Sequence, residues 1–490
     1  MPSELDKVES FQTETRGRGL RAKVPFKPGN VVLKADPFAY VIRDDMASQV
    51  CQYTLNLALA KEAGSAAPVY QKCSRCKMAR YESREAQKAD WKDHKDECAA
   101  TCRVAPKRFN DETRLVAKML SKLKRLDGKP SNEESLITVA DMQDHMDNRT
   151  PEDRPQLDEN VMNFGDYYGY ENLPDDDDKT LYHLFGILEC NGFSINDSRG
   201  ITIVGVGVYP SISLLNHSFD PNCVAISIGK QVHLRALKTI AAGEELFISY
   251  VGELTPLDEA VEQLKNTFYF DYDIDTEPEG IKEIVLERDT KLNALHLGEE
   301  GQEPSKKAQT YIQKYSKDMF KRIEKTRASE NHPRYTLQAT GALMQQENVL
   351  ADTHHLKMRM MRYAVDGLAA QKSFEEAKKY AVDVLMAYKQ ILPKHSSALG
   401  MYNLKVGTFY WHLQEIELAI KTLADAAHCL EITHGETHNM YTDCLQMIMQ
   451  CQQESRLDKF SRAKIRAARE QMGKNVAIDI DEALKDKDDC

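Results

Sequence analysis

Four side chains that zinc favours lie close together between residues 73 and 98. Cys73 and Cys76 form a C-x2-C pair, and His94 and Cys98 form an H-x3-C pair. Structural zinc takes four nitrogen or sulfur ligands in a tetrahedron, and the H-x3-C spacing puts both side chains on one face of a helix. Two chance pairs are the alternative, but four ligands within 26 residues favour a single zinc site.

A second candidate is the glycine-rich stretch TRGRGLRA at residues 15–22. Glycines such as Gly17 let backbone N–H groups approach a ligand, and the neighbouring Arg16 and Arg18 can meet a carboxylate. A simple turn with basic neighbours is the alternative for this stretch alone.

Two further stretches end in polar groups after apolar runs. YPSISLLNHSFDPNC (209–223) delivers Asn216 and His217, and AAGEELFISY (241–250) ends on Tyr250. Polar groups at the end of a buried strand commonly line a pocket. A hairpin with a satisfied buried histidine is the other interpretation of the first stretch.

The composition describes an ordinary globular chain. It has 490 residues, 42% hydrophobic and 29% charged, with a net charge of −11, so a global electrostatic grip on nucleic acid is not expected. The sequence has no run of 18 apolar residues, so no membrane span is predicted. Eleven cysteines, an odd number, and a polar N-terminus fit a reducing compartment better than a disulfide framework.

The elements that must position these residues change character along the chain. Residues 7–43 and 181–250 predict short strands with turns, and LYHLFGILECNGFSI predicts a helix running into a strand. Residues 110–150 predict helices, the acidic stretch 151–180 predicts a solvated loop, and the end of the chain predicts an acidic tail. Residues from about 283 to 475 predict helices almost throughout. A β-rich front and an all-helical back indicate separate domains.

The helical part repeats weakly. The segment 374–402 resembles the segment 416–441, with Ala377 corresponding to Ala419. This favours tetratricopeptide-like helix pairs, and a generic helical bundle is the alternative.

Taken in order, GRGL, CNGF (190–193), NHSFDPNC and GEELFISY resemble a SET domain, and the cysteine segment resembles a MYND zinc module. Together they resemble the SET and MYND domain-containing (SMYD) protein-lysine methyltransferases over essentially the whole chain. The stretch LADTHHLKMRMM is similar to the striated-muscle member of that family.

The resemblance implies an α+β fold. A β-rich SET domain carries an inserted MYND zinc module and a helical insert, and an all-α tetratricopeptide-like C-terminal domain follows. The implied segments are the N-terminal part of the SET domain (1–50), the MYND module (51–98), the helical insert (99–180), the core SET domain (181–251), the post-SET segment (252–282) and the helical domain (283–490).

The resemblance also implies a reaction, the transfer of a methyl group from S-adenosylmethionine to lysine. Tyr250 matches the catalytic tyrosine, and Phe193 and Phe268 match the lysine channel. The implied cofactor-binding residues are Arg16, Gly17, Arg18, His145, Asn216, His217 and Phe270.

The chain departs from the family at its second and third metal sites. MYND modules bind two zinc ions, and the second set corresponds here to Cys51, Thr54, Glu82 and Ala86. Alanine cannot bind metal, so we predict one intact zinc site, held by Cys73, Cys76, His94 and Cys98.

The cysteines of the family's post-SET zinc correspond to Phe219, Tyr272, Ile274 and Glu277. We predict no metal there, with apolar packing by Phe219 and Tyr272 instead. Phe268 stands where relatives carry a tyrosine, which would change the methylation state or lower activity. Tyr269 is expected to point elsewhere if this segment is extended.

The functional prediction is a protein-lysine N-methyltransferase of the SET class that acts on histone or non-histone proteins. A catalytically weak scaffold that binds partners through the MYND and helical domains is the alternative. The resemblance implies a proline-rich peptide at the MYND module and a chaperone or other protein at the helical domain. A monomer in cytoplasm and nucleus is expected, with no membrane contact, and Lys88, Lys92 and Lys95 leave a DNA contact open.

Overall fold

The chain divides into two compact units. The computed structural model describes residues 4–12, 16–59, 67–126, 135–150, 154–176, 178–298 and 301–456. The first unit comprises the chain up to Ile248 together with Leu264–Asp271, and the second comprises Ser249–Gln263 and the chain from Tyr272 onward. None of the helices within these described ranges is long and apolar enough to cross a membrane. The predicted acidic tail lies outside the described residues.

Small antiparallel sheets form the framework of the first unit. The strands are β1 (Val8–Gln12), β2 (Arg18–Ala22), β3 (Val31–Ala35), β4 (Ala39–Ile42), β5 (Gln71–Lys72), β6 (Arg80–Tyr81), β7 (Gly192–Asn196), β8 (Ile203–Val208), β9 (Asn216–His217), β10 (Cys223–Ile228), β11 (Gln231–Ala236) and β12 (Phe247–Ile248). They pair in the orders β1-β2, β10-β11-β3, β4-β8-β7 and β5-β6, and β9 lies parallel to β12.

Helices of the first unit pack over the β4-β8-β7 sheet. They are α1 (Arg84–Val104), α2 (Asp111–Leu126), α3 (Pro155–Tyr168) and α4 (Lys179–Asn191). A further helix, α5 (Leu257–Phe268), has only its last residues in the first unit. Their core includes Leu115, Phe164 and Phe185 on the helices and Val41 and Val208 on the strands.

The loop predicted over residues 151–180 is wrong, because α3 occupies much of it. Leu157, Val161 and Phe164 are buried at positions i, i+4 and i+7, which is the apolar face of an amphipathic helix. The acidic residues between them lie on other faces of the helix, and they hid the helical period of the apolar residues in the sequence.

The helix predicted over the end of residues 110–150 is also wrong. Val139–Asp141 and Met146–Asn148 form short 3₁₀ turns instead. The Asp141 carboxylate accepts hydrogen bonds from the backbone N–H (2.9 Å) and the hydroxyl (2.7 Å) of Thr138. Such local side-chain bonds compete with continued helix.

The second unit consists mainly of helices in its described residues. Its further helices are α6 (Glu279–Leu292), α7 (Lys306–Arg327), α8 (His332–Gln346), α9 (His355–Ala370), α10 (Phe374–Ile391), α11 (Ser397–His412), α12 (Ile416–Thr433) and α13 (Asn439–Ser455). Consecutive helices from α7 to α13 contact each other, and α11 is buried on nearly every side. The predicted repeat corresponds to the pairs α10–α11 and α12–α13, in which Ala377 and Ala419 are both fully buried.

Histidine side chains cap the N-termini of two helices in this unit, and each of these histidines follows a threonine in the sequence. The Nδ1 atom of His354 accepts from the backbone N–H of Leu356 (3.2 Å), and that of His438 accepts from Met440 (3.1 Å). A buried N-cap must be an uncharged acceptor, because a protonated imidazole can only donate. His354 is 1% exposed, and burial lowers its pKa to about 3, so it keeps this form in the folded unit.

The second unit is expected to lose stability below about pH 6.5, the ordinary pKa of histidine. Burial lowers the pKa of His354 to about 3 and that of His355 to about 4. The unfolded chain therefore takes up protons that the folded unit refuses, and each histidine removes up to about 1.4 kcal/mol per pH unit as the pH falls towards these values. His354→Asn keeps an N-cap oxygen without a titrating group, so urea unfolding of this variant between pH 7 and pH 5 should show a shallower slope. An equal slope in both proteins would contradict the assignment.

Candidate functional site: a cysteine–histidine cluster and a three-motif junction

The four predicted metal ligands come together in the first unit. The ligand atoms of Cys73, Cys76, His94 and Cys98 all lie within 4.8 Å of one another. The Cys73 and Cys98 sulfurs are 3.8 Å apart, and the Cys76 sulfur is 3.5 Å from Nε2 of His94. Tetrahedral zinc would separate two thiolates by about 3.8 Å and a thiolate from an imidazole by about 3.5 Å. The donor set and its spacing therefore fit zinc.

Helix α1 positions two of these ligands, as the spacing predicts. It begins at the N-cap Ser83, whose hydroxyl accepts from the backbone N–H of Ala86 (3.1 Å). His94 and Cys98 are both buried on one face of it. Burial would raise the pKa of Cys76, but hydrogen bonds from His94 and from the backbone near Met78 and Ala79 lower it to about 6.

A buried charge cluster lies behind His94. Nδ1 of His94 faces Oε2 of Glu97 at 3.7 Å. Glu97 in turn binds Arg114 of α2 at 2.7 Å, and the side chains of Glu97 and Arg114 are each only 3% exposed. Burial alone would raise the pKa of Glu97, but Lys118 and Arg114 hold it well below its usual range. A carboxylate behind a ligating histidine is a common outer-shell arrangement in zinc sites.

Apolar packing occupies the first part of the second metal set. Cys51 and Ala86 are buried in a cluster with Tyr81, Cys73 and Cys98. Ala86 offers no ligand atom.

A hydrogen-bonded asparagine links the rest of that set to the sheets. Asn56 donates to the carboxylate of Glu82 (2.7 Å) and accepts from the hydroxyl of Ser198 (2.5 Å), which precedes β8. The Thr54 hydroxyl faces the backbone N–H of Asn56 at 3.4 Å. Glu82 is thus engaged by an amide, and this segment is tied to the sheets by ordinary hydrogen bonds.

The glycine-rich stretch and the GEEL stretch are joined through their backbones. The N–H of Leu246 donates to Leu20 (2.8 Å), and the N–H of Ala22 donates to Glu244 (2.9 Å). The NHSFDPN stretch then binds the GEEL stretch, because the N–H of Ser218 donates to Ile248 (3.0 Å). We call these three connected stretches the three-motif junction.

Asn222 holds this junction from the inside. Its amide nitrogen donates to the backbone oxygen of Glu245 (2.8 Å), and its amide oxygen accepts from the N–H of Phe247 (2.8 Å). One buried side chain therefore satisfies backbone groups on both sides of Leu246.

Asn216 and Glu245 connect the junction to the predicted cofactor loop. The Asn216 amide donates to the backbone oxygen of Arg18 (3.1 Å) and to the carboxylate of Glu245 (2.8 Å). These bonds fix the Asn216 side chain beside the loop.

The two glycines of GRGL have different reasons to be glycine. Gly17 has φ +73°, in the left-handed region that favours glycine, and a Cβ there would meet nothing within 4 Å. A Cβ on Gly19 would lie 2.9 Å from the Glu245 carboxylate and 3.2 Å from the Asn216 amide. Gly17 makes the turn, and Gly19 allows the close approach of β2.

Aromatic rings surround His217. This residue is buried, and its ring lies edge-on to Phe219 (4.6 Å) and to Phe270 (6.4 Å). The guanidinium of Arg16 lies 5.3 Å from the centre of the Phe247 ring. The structure thus brings the predicted cofactor residues Asn216, His217 and Phe270 into one region, beside the loop of Arg16, Gly17 and Arg18.

His145, the remaining predicted cofactor residue, stacks on a ring of the 268–270 segment. Its ring lies 5.5 Å from that of Tyr269, with 21° between the planes. Tyr269 has φ +53°, so the segment is not extended at this residue as expected.

The predicted channel residues lie on separate elements. Phe193 is on β7, where its ring lies edge-on to Tyr209 (5.8 Å), and Phe268 is the last residue of α5. Tyr250 follows β12 by two residues and is half-buried. Tyr250 belongs to the second unit, whereas Phe193 and Phe268 belong to the first.

The post-SET positions hold no set of metal ligands. Phe219 packs on His217, and Ile274 begins a 3₁₀ turn in the second unit that the Asp273 carboxylate caps by accepting from Asp275 (3.0 Å). Glu277 is buried and Tyr272 half-buried. Of these four positions, only Glu277 carries a side chain that commonly binds metal.

Sequence reasoning missed Glu245, Asn222 and Arg149. The first two belong to GEEL and DPN, but their roles are contacts between distant strands, which no local period reveals. Arg149 lies in a polar stretch and carried no signal at all.

Comparisons with known proteins agree with these features. The family profile of the SET domain matches residues 17–251. Histone-lysine N-methyltransferase Smyd1 of Mus musculus is 30% identical over 480 residues, covering 95% of this chain and 94% of that protein. Histone-lysine N-methyltransferase SMYD3 of Homo sapiens is 30% identical over 450 residues, covering 91% and 97%. N-lysine methyltransferase SMYD2 of Homo sapiens is 26% identical over 446 residues, covering 91% and 98%.

The first conclusion is the class of protein, a SET-domain methyltransferase that modifies protein lysine. The similarity continues beyond the SET domain over nearly the full length of these relatives. The chain therefore belongs to the SET and MYND domain-containing (SMYD) family of protein-lysine N-methyltransferases. Both the predicted family and the predicted enzyme class are confirmed.

Proposed function

We propose that the chain transfers a methyl group from S-adenosylmethionine to the ε-amine of lysine in histone or non-histone proteins. The observation that carries the proposal is the three-motif junction. In it the Asn216 amide donates to the backbone oxygen of Arg18 at 3.1 Å and to the carboxylate of Glu245 at 2.8 Å. A methyl transfer needs little covalent help from the protein and depends mainly on orientation.

S-adenosylmethionine would supply an electrophilic methyl group on a positively charged sulfur. The residues proposed to hold it are Arg16, Gly17, Arg18, His145, Asn216, His217 and Phe270. The turn at Gly17 lies between two arginines, whose guanidinium groups suit a carboxylate. The rings of Phe270 and His145 offer flat surfaces that suit a purine.

Tyr250, Phe193 and Phe268 would act on the lysine. An apolar aromatic channel disfavours the ammonium form and so lowers the pKa of the lysine, which must be neutral to attack. The Tyr250 hydroxyl would orient the amine. Phe268 offers no hydroxyl, so one hydrogen bond to the amine is absent at that position.

We further propose that Cys73, Cys76, His94 and Cys98 hold one zinc ion that fixes the cysteine segment. Structural zinc closes a site with four protein ligands and contributes directly to folding. A proline-rich peptide at this module and a protein partner at the helical domain belong to the same proposal, as do a monomeric state and residence in cytoplasm and nucleus. The alternative of a scaffold with weak activity is favoured by one feature, the replacement of all four post-SET cysteines.

Tyr250→Phe is expected to slow methyl transfer at least about 100-fold while S-adenosylhomocysteine binds as in the unchanged protein. Transfer is measured with radiolabelled S-adenosylmethionine and core histones or cell-extract proteins, and binding by calorimetry. Tyr182→Phe is the matched control, because it also loses a tyrosine hydroxyl bond, to Asp158 at 2.9 Å, away from the junction. If the unchanged protein neither binds S-adenosylhomocysteine nor transfers a methyl group, the scaffold hypothesis replaces the proposal.

A further inference from the structure

The Arg149 side chain is buried, but hydrogen bonds satisfy only part of its guanidinium group. Its side chain is 1% exposed, and it binds the carboxylate of Glu189 at 2.6 Å. Its Nε and Nη2 atoms are buried without a hydrogen-bond acceptor. Buried unsatisfied donors cost stability, so this arrangement calls for another explanation.

The guanidinium lies against the ring of Tyr269. Its central carbon is 5.0 Å from the ring centre, within the range of a cation–π contact. The same ring stacks on His145 at 5.5 Å. Arg149, Tyr269 and His145 thus form one cluster, here called the aromatic brace.

Two residues of the aromatic brace have an unusual backbone. His145 and Tyr269 both have φ +53°. The left-handed region is uncommon for bulky residues and persists where the surroundings over-determine it, often at functional sites. The contacts of Tyr269 with Arg149 and His145 supply that constraint.

The brace acts on a segment that carries two proposed site residues. Tyr269 lies between Phe268 and Phe270, which the proposed function assigns to the lysine channel and the cofactor. A contact that holds Tyr269 in place therefore also positions its two neighbours in the chain.

We infer that Arg149 is a positioning residue, which fixes Phe268, Phe270 and His145 through the ring of Tyr269. This inference rests on the proposed function. Arg149 acts by holding Tyr269 in its left-handed conformation and not by contact with cofactor or lysine.

Arg149→Met removes the charge and keeps most of the side-chain length. We expect the dissociation constant of S-adenosylhomocysteine, measured by calorimetry, to rise at least tenfold. We also expect faster amide hydrogen exchange in peptides that cover residues 264–272 of the cofactor-free protein. Tyr269→Leu removes the ring and should resemble Arg149→Met.

Arg154→Met is the matched control, because Arg154 lies 5.9 Å from the ring of Tyr182 and outside the brace. It should change neither measurement, and Arg149→Lys should restore part of both. Unchanged exchange in 264–272 for Arg149→Met would overturn the inference, and so would unchanged affinity. If the unchanged protein does not bind S-adenosylhomocysteine, the proposed function fails, and the exchange measurement alone decides whether the brace holds the segment.

Discussion

Arg114→Met is expected to lower the free energy of unfolding of the first unit by about 3–5 kcal/mol, the usual cost of breaking a buried ion pair from one side. Arg114 binds Glu97 at 2.7 Å and donates to the backbone oxygen of Ile42 at 2.9 Å. Methionine would leave Glu97 buried with only Lys118 at 3.7 Å as a cationic partner from α2. It would also leave the Ile42 carbonyl at the end of β4 without this donor.

The same change should weaken metal binding, because Glu97 also faces His94. Loss of an outer-shell partner commonly lowers zinc affinity by about 10–100-fold. Zinc affinity is measured by competition with a chromophoric chelator. Stability is measured by urea unfolding together with hydrogen exchange of peptides from α1 and α2.

Arg108→Met is the matched control for burial. Arg108 binds Asp44 at the same 2.7 Å, but both side chains are largely exposed. An exposed pair contributes about 0–1 kcal/mol, so this variant should be nearly neutral. Equal losses in the two variants would show that the buried cluster behind His94 contributes no more than a surface pair.

The sequence predicted what local spacing determines. The C-x2-C and H-x3-C pairs work at short range, because a tight turn and one helical turn bring each pair together. The repeat between α10–α11 and α12–α13 is equally local, since Ala377 and Ala419 are buried at equivalent positions near the starts of α10 and α12. Alternating apolar and polar residues predicted the short strands, and the family resemblance then assigned them to a SET domain.

What the sequence could not predict depends on contacts between distant segments. Helix α3 was hidden by acidic residues on its exposed face, and only its burial against α2 and α4 reveals Leu157, Val161 and Phe164 as a core stripe. Tyr269 was expected on an extended segment, whereas its stack with His145, 124 positions away in the chain, accompanies a left-handed backbone. Two residues of favourable type do not reveal such a stack until the fold brings them together.

Asn216→Asp is expected to destabilise the first unit by about 3–4 kcal/mol at pH 7, although it adds no volume. It replaces a donor with a carboxylate oxygen 2.8 Å from the carboxylate of Glu245 and 3.1 Å from the backbone oxygen of Arg18. Two carboxylates this close cannot both stay ionised. The destabilisation cannot exceed the free energy of protonating one of the two carboxylates at pH 7, and the ordinary pKa of a carboxylate is about 4.

That limit gives the prediction a pH signature. Protonation becomes easier as the pH falls, so the penalty should shrink by about 1.4 kcal/mol per pH unit between pH 7 and pH 5.5. The Asn160→Asp control faces a similar change, because Asn160 donates to Glu112 at 3.0 Å. It should lose stability with the same pH trend but keep its affinity for S-adenosylhomocysteine, whereas Asn216→Asp should lose both.

A compensating change separates charge repulsion from other causes. Glu245→Gln provides an amide that can donate to the new carboxylate, so the double variant should recover most of the stability that Asn216→Asp loses. Alone, Glu245→Gln should cost little, since a glutamine oxygen can still accept from the Asn216 amide. If the double variant is as weak as Asn216→Asp, the bond to Glu245 does not position this side chain. Affinity for S-adenosylhomocysteine should recover less than stability, because Asn216 is itself a proposed cofactor residue.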